Sequence, residues 1–216
     1  ATAIPFVLYY EGDGMLSTFI YSCSLTFIVG LFLRLLTQDN KNDEVKKREG
    51  FLIVALGWIS MVLFGTLPYI ISGWIPNISD AFFETMSGFT TTGATILGGE
   101  STFKISELPH SLLFWRSMTQ WIGGMGIIVL TVAILPMLGI GGMELFVAEA
   151  PGPTKDKIHP RIKETAKRLW VIYLGLTIME TIILLFCGLD FFDAINHALT
   201  TNSSGGFSTK DASIAG

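Results

Sequence analysis

Residues 80–95 read DAFFETMSGFTTTGAT, and they follow an uncharged run from Phe51 to Ser79 that is long enough to cross a bilayer. The chain leaves an apolar span on an acidic residue, builds one short amphipathic segment, and ends it in threonines around a glycine. Either this stretch is an external turn, or it dips back toward the membrane and returns. The fold depends on which.

The same arrangement occurs twice. Asp80-Ala81 opens the first segment and Asp193-Ala194 the second, and 13 positions beyond each aspartate stands a glycine, Gly93 in GFTTTGAT and Gly206 in TNSSGGFST. Each segment follows an apolar span that rises from a basic stretch. Repetition at matched spacing makes the repeat, and not the single threonine-rich run, the unit to interpret.

Composition sets the environment. Half of the residues are apolar, only 15% are charged, and the mean hydropathy is +0.55, a balance that places the chain among integral membrane proteins. Four apolar runs reach spanning length: Met15–Leu33, Phe51–Ile75, Ser117–Met143 and Leu169–Leu189, the last interrupted only by Glu180. Pro68, Pro136 and the clusters Gly123-Gly124-Met125-Gly126 and Gly139-Ile140-Gly141-Gly142 lie in or beside these runs, where they predict close helix packing through small residues, or a kink. Cys23 and Cys187 lie in apolar runs and read as reduced packing residues. The opening ATAIPFVLYYEGDG has no basic region or small-residue cleavage site and reads as the tail of a helix.

Basic residues give the expected orientation. Arg34, Lys41, Lys46, Lys47 and Arg48 fall between the first and second spans, and Lys155, Lys157, Arg161, Lys163, Lys167 and Arg168 between the third and fourth; these are 11 of the 14 in the chain. The loops 34–48 and 155–168 are therefore expected in the cytoplasm and the threonine- and serine-rich segments outside. Both basic clusters alternate with acids and lack interleaved aromatics, so nucleic acid is not an expected partner.

Asp80 and Asp193 are candidate N-caps of short helices, too brief to cross the membrane. Non-helical backbone at membrane depth has to be buried in protein or line a wet cavity, which makes Thr90–Thr95 and Ser203–Ser208 candidate pore linings. Segments rich in Thr, Ser and Gly offer carbonyl and hydroxyl oxygens, hard ligands for a dehydrated monovalent cation. Gly93 and Gly206 supply backbone conformations closed to other residues. Glu84 and His197 occupy equivalent positions on the short helices and are candidates for bracing the pore-lining segments, or have no role. Arg116 reads as an anchor at the membrane interface. Glu180 is either functional or bonded to a neighbouring helix. His110 and His159 read as loop residues without metal-ligand spacing, and no phosphate-binding loop, hence no nucleotide site, is visible.

WRSMTQWIGGMGIIVLTVAILPMLGIGGMELFVAEAPGP at 115–153, PRIKETAKRLWVIYLGLT at 160–177, FFETMSGFTTTGATIL at 82–97 and DAINHALTTNSSGGFSTKDAS at 193–213 resemble the potassium-uptake proteins of the Trk/Ktr/HKT superfamily. The resemblance runs from about Met15 to the end of the chain. It implies an all-α integral membrane fold of potassium-channel type: four repeats of membrane helix, pore loop with a re-entrant pore helix, and membrane helix around one filter.

In that frame, 1–40 holds N-terminal membrane helices, the first of them truncated, 50–145 is the first pore repeat and 160–216 an incomplete second. The third and fourth repeats, a gating loop and a pore-facing arginine would belong to a longer protein. The filter positions fall on Thr91, Thr92, Gly93 and Ala94 in the first loop and on Ser204, Gly205, Gly206 and Phe207 in the second. In the family, serine at the position of Gly93 is associated with sodium permeation, so glycine favours potassium. The resemblance also implies potassium as transported ion, a homodimer in the lipid of the bacterial inner membrane, and a cytosolic NAD- and ATP-binding regulatory subunit of TrkA type. Alternatives are potassium transport coupled to sodium or protons and, more remotely, an intramembrane serine hydrolase using Ser203 or Ser204 with His197.

Overall fold

The computed structural model describes residues 4–9, 14–37, 47–98, 104–129 and 158–213. Among them there is no strand, and the elements are α1 (Ile4–Tyr9), α2 (Leu16–Leu36), α3 (Lys47–Gly65), α4 (Leu67–Ser72), α5 (Ile78–Phe89), a 3₁₀ turn (Ile105–Glu107), α6 (His110–Val129), α7 (Ile158–Phe186) and α8 (Phe191–Asn202). Among the described residues three stretches are long and apolar enough to cross a membrane: Leu16–Leu36, Glu49–Ser72 and Glu164–Phe186. Only 11, 17 and 11% of their most apolar windows are buried within the protein, so their Leu, Ile and Phe side chains face outward. In water that surface would aggregate; in a bilayer it faces hydrocarbon. The expectation of an all-α integral membrane protein holds.

The second span is one passage in two pieces. Pro68 has no N–H for the carbonyl of Phe64, and the helix breaks at Thr66 before resuming as α4 with proline in its first turn. The break is re-satisfied locally: Thr66 N–H donates to Val62 O at 3.0 Å, its hydroxyl to Leu63 O at 2.6 Å, and Trp115 Nε1 reaches across from α6 to Gly65 O at 3.1 Å.

The third run differs from expectation at its start. The helix begins at His110, not Ser117, and carries Arg116 inside it, because that charge is paired within the protein and does not have to stay at the interface. His110 therefore opens a helix and stacks edge-on against Phe192, with ring centroids 4.8 Å apart. Residues 130–143 of the predicted run, with Pro136 and the Gly139–Gly142 cluster, lie outside the described residues. The last span is also longer than its apolar run. At about 1.5 Å per residue, 29 helical residues reach roughly 43 Å, well beyond the hydrocarbon, and they take His159 and the basic residues from Arg161 to Arg168 into the helix. Those positions are helical and not a loop.

The glycines of α6 pack as expected. A Cβ at Gly123 would strike the backbone carbonyl of Phe89 at the end of α5; one at Gly124 would stand 2.8 Å from Tyr173 Oη and 3.1 Å from Ser203 Cα after α8; one at Gly126 would meet the Trp58 ring at 3.2 Å. Successive glycines of one helix thus admit the ends of both short helices. The α6–α7–α8 junction is closed by Thr177, whose hydroxyl accepts from Trp121 Nε1 and Asn202 Nδ2, both at 3.0 Å, and donates to Tyr173 O. Cys23 is half-buried on α2, whereas Cys187 is exposed just past the end of α7, so it does not pack as expected; neither is in a disulfide.

Gly123→Ala forces a side chain against backbone that has little room to yield. It should lower stability by about 1–3 kcal/mol, the usual range for overpacking, whereas Gly30→Ala on α2, with nothing within 4 Å of the added carbon, should not destabilise. Thermal unfolding in detergent, followed by tryptophan fluorescence, checks both.

Candidate functional site

Helices α5 and α8 are copies of one another, 12 residues each and about 18 Å long, short of the 30 Å hydrocarbon thickness. Their caps correct the sequence expectation. Asn77 Oδ1 accepts from Ser79 N–H at 3.1 Å, and Asp190 Oδ2 accepts from Phe192 N–H at 3.2 Å, so the helices start one turn before the residues expected to cap them. Asp80 and Asp193 are the third helical residues, where a carboxylate still favours the positive end of the helix dipole. Both segments carry acceptor side chains three residues apart, and the ones whose own backbone is extended, Asn77 and Asp190, take the cap.

Beyond each helix the chain reverses in the same way. Thr91 N–H donates to Gly88 O (2.9 Å) and Thr92 N–H to Ser87 O (3.0 Å); Ser204 N–H donates to Thr201 O (2.8 Å) and Gly205 N–H to Thr200 O (2.9 Å). Thr91 and Ser204 are left-handed at φ +55° and +60°, and Gly93 and Gly206 both at +76°. For a β-branched threonine that conformation is a genuine outlier, and strain of this kind collects at functional sites. Among the described residues no hydrogen bond reaches the carbonyls of residues 91–94 or 204–207. Backbone acceptors left open in this way need water or an ion.

The two segments meet. A Cβ at Gly93 would collide with the carbonyl oxygen of Gly205 and its φ is strained for a side chain, so a substitution there has to displace the second segment. Gly205 is itself buried against the Gln120 side chain, while Gly206 has open space around its α-carbon. Burial alternates along the second segment: Ser203, Gly205 and Phe207 are buried, Ser204 and Gly206 exposed. In the first, Thr92 and Ala94 are exposed, Thr91 is half-buried, and the Thr92 hydroxyl pairs with that of Thr90 at 2.8 Å.

The support behind these segments was largely invisible in the sequence. Glu84, fully buried, accepts from Thr95 Oγ1 (2.9 and 3.0 Å), from Ile96 N–H (3.1 Å) and from Arg116 Nε (2.6 Å). Arg116 is 1% exposed; it also donates from Nη1 to Ser208 O at 2.9 Å and lies over the Phe207 ring, 3.7 Å from its centroid. The interface-anchor reading of Arg116 is therefore wrong: a carboxylate, a backbone carbonyl and an aromatic face hold the guanidinium inside. Gln120, one turn further along α6, accepts from Phe207 N–H at 3.1 Å. Arginine and glutamine at i and i+4 ahead of an apolar run were the available signal, since polar groups at membrane depth are retained for a reason.

The second copy departs from the first on its outer side. Asp193 accepts from Thr209 Oγ1 (2.7 Å) and pairs with Lys210 Nζ (2.8 Å). Burial pushes its carboxyl up, but the hydrogen bonds from Lys210 and Thr209 outweigh this and hold it below the usual range. Asp211 accepts from Ile105 N–H (2.9 Å), Ser106 N–H (3.3 Å) and Ser106 Oγ (2.7 Å), fastening the linker of the first copy to the tail of the second. His197, in the place of Glu84, is buried, and among the described residues it makes no side-chain hydrogen bond to either serine; the Ser203 hydroxyl is engaged with Leu199 O and Thr200 O. The Glu180 carboxylate lies on the side of α7 that faces Thr201 of α8. No group of three or more potential metal ligands occurs among the described residues.

The fold and this site define a helical membrane protein built on a repeated unit of span, short helix and left-handed return segment. A family model described as TrkH, cation transport protein, matches residues 16–216, and the chain belongs to that family. It is similar to the Trk system potassium uptake protein TrkH of Escherichia coli strain K12, with 52% identity over 96% of this chain and 42% of the relative. It is also similar to TrkH of Vibrio parahaemolyticus, with 49% identity over 99% of this chain and 43% of the relative. TrkG of Escherichia coli K12 is 42% identical over 82% of this chain and 36% of its own length. The crystal structure of the potassium transporter TrkH from Vibrio parahaemolyticus superimposes with a TM-score of 0.75 at 45% identity, covering 99% of this chain and 41% of that one. The chain spans somewhat under half the length of these relatives.

Hydrogen bonds from Ser106 and from Ile105 N–H hold the exposed Asp211 carboxyl below its usual value. A carboxyl depressed in the folded state stabilises docking at neutral pH; that contribution falls as pH drops below about 3.9 and is gone once pH passes the folded value. Asp211→Ala should speed amide exchange at Ile105 and Ser106 by roughly three- to tenfold, the scale of a hydrogen bond's net worth. Acidification of the unmodified protein through that window should lower the protection factors of the same two amides to a similar extent, once the pH dependence of intrinsic exchange is divided out, as read by hydrogen-exchange mass spectrometry.

Proposed function

We propose that this chain supplies two of the filter segments of a potassium uptake protein in the bacterial inner membrane, and that potassium permeates past its backbone carbonyls. The observation that carries the reading is the matched backbone of the two segments, left-handed at equivalent positions with their carbonyls open and in contact at Gly93 and Gly205. The names of the relatives, potassium uptake proteins of the Trk system, support the ion. On this reading Thr91, Thr92, Gly93 and Ala94, with Ser204, Gly205, Gly206 and Phe207, are the filter positions, and α5 and α8 are re-entrant pore helices whose negative C-terminal ends face the cation. Residues 1–40 precede the repeats, 50–145 form the first and 160–216 begin the second.

The protein performs no covalent chemistry; it replaces a hydration shell. The assembly is a homodimer with a cytosolic nucleotide-binding subunit of TrkA type docked at the basic ends 34–48 and 155–168, and the filter segments face outside. The test is flux into liposomes carrying the full-length protein, comparing potassium, rubidium and sodium. Potassium and rubidium should pass well ahead of sodium, and Gly93→Ser should narrow the gap roughly tenfold, a change worth about 1.4 kcal/mol in relative barrier. Indifferent flux in the unmodified protein would return both segments to external turns.

A further inference from the structure

Arg116 and Gln120 stand outside the filter positions, yet they make the contacts that fix the second segment. They project from α6, the helix that follows the first segment, and both reach the other copy. Arg116 donates to Ser208 O and covers the Phe207 ring, Gln120 accepts from Phe207 N–H, and the Gln120 amide fills the space that a side chain on Gly205 would need. The Gln120 orientation is forced, because only its oxygen can accept from Phe207. That leaves its Nε2, buried and without a hydrogen-bond partner, at the junction of Gly93 and Gly205; a Cβ at Gly93 would lie 4.0 Å from it. On its other side Arg116 is held by Glu84, which at the same time holds Thr95 and Ile96 after the first segment.

We propose that Arg116 and Gln120 are positioning residues for ion selection, setting the second filter segment from within the first repeat, with Glu84 as their anchor. This rests on the filter reading above. One guanidinium joins a carboxylate that restrains residues 95–96 to a carbonyl at residue 208, so the separation of the two segments is set by rigid groups. The second copy has histidine in place of Glu84, and His197 makes no equivalent bridge among the described residues, so the brace is not repeated symmetrically.

The shape of the cation matters more than its charge. Lysine at 116 could still neutralise Glu84, but it has no planar fork to reach Ser208 O and cover Phe207 together. Removing only the carboxylate would strand a buried charge and threaten folding, whereas neutralising both partners avoids that.

The experiment measures potassium and sodium flux in liposomes for the full-length protein carrying Arg116→Lys, the pair Glu84→Gln with Arg116→Gln, or Gln120→Leu, each alongside Gly93→Ser. Thermal unfolding sets which variants are folded. The expected result is a potassium-to-sodium flux ratio lowered roughly three- to tenfold in every folded variant, the scale of one hydrogen bond. A wild-type ratio in the folded variants while Gly93→Ser lowers it would overturn the brace and leave the filter reading standing. No preference in the unmodified protein, or none lost in Gly93→Ser, would bring down the filter reading and the brace with it. Failure of all three variants to fold would assign these residues to folding alone and overturn the proposal.

Discussion

Two stretches of backbone touch at Gly93 and Gly205, and most of the described structure serves that contact. Backbone can approach backbone so closely only where neither residue carries a side chain in the way, and the left-handed turn at Gly93 independently favours glycine. The helices on either side are held by the same logic. Gly123 admits the end of α5 and Gly124 the residue after α8, so α6 lies against both reversals at once. The polar side chains of α6 then supply the hydrogen bonds that a low-dielectric setting makes expensive to omit.

The repeat is close in geometry and loose in chemistry. Caps, helix length, reversal hydrogen bonds and the signs of φ coincide between the copies. The side chains that stabilise them do not. The first copy uses a buried glutamate paired with arginine, whereas the second uses an aspartate one turn nearer the helix start, tied to Thr209 and Lys210 at the outer rim. On the proposed filter reading, backbone conformation is what an ion meets, so it is what has to match; how each conformation is held is free to differ.

The sequence made the architecture legible because its signals were long or duplicated. Uncharged runs of spanning length, glycines repeated at one spacing from an acid, and small residues in α6 each point to one physical requirement, and the helices, the reversals and the tight packing follow from them. Less was legible where the signal was one residue deep. Asn77 and Asp190 compete with Asp80 and Asp193 for the same cap, and only backbone geometry decides between them. Arg116 looks like an interface residue until its carboxylate partner on another helix is known, and Gln120 is an uncharged residue in an apolar run whose partner lies in the other copy. Contacts between residues far apart in the chain have no local pattern to betray them, which is why the parts of Arg116 and Gln120 went unread although Glu84 was marked as a candidate brace.

The uninterrupted length of α7 has a mechanical meaning. Its basic end and Thr177, the hub that holds Trp121 and Asn202, belong to one helix without a proline or break in between, from Arg161 onward. A hydrogen-bonded rod of this kind transmits a tilt along its length and does not absorb it locally, in contrast to the second span, where the break at Thr66 can act as a joint. Thr177 is therefore the point at which any tilt of the charged end would meet the last turn of α8.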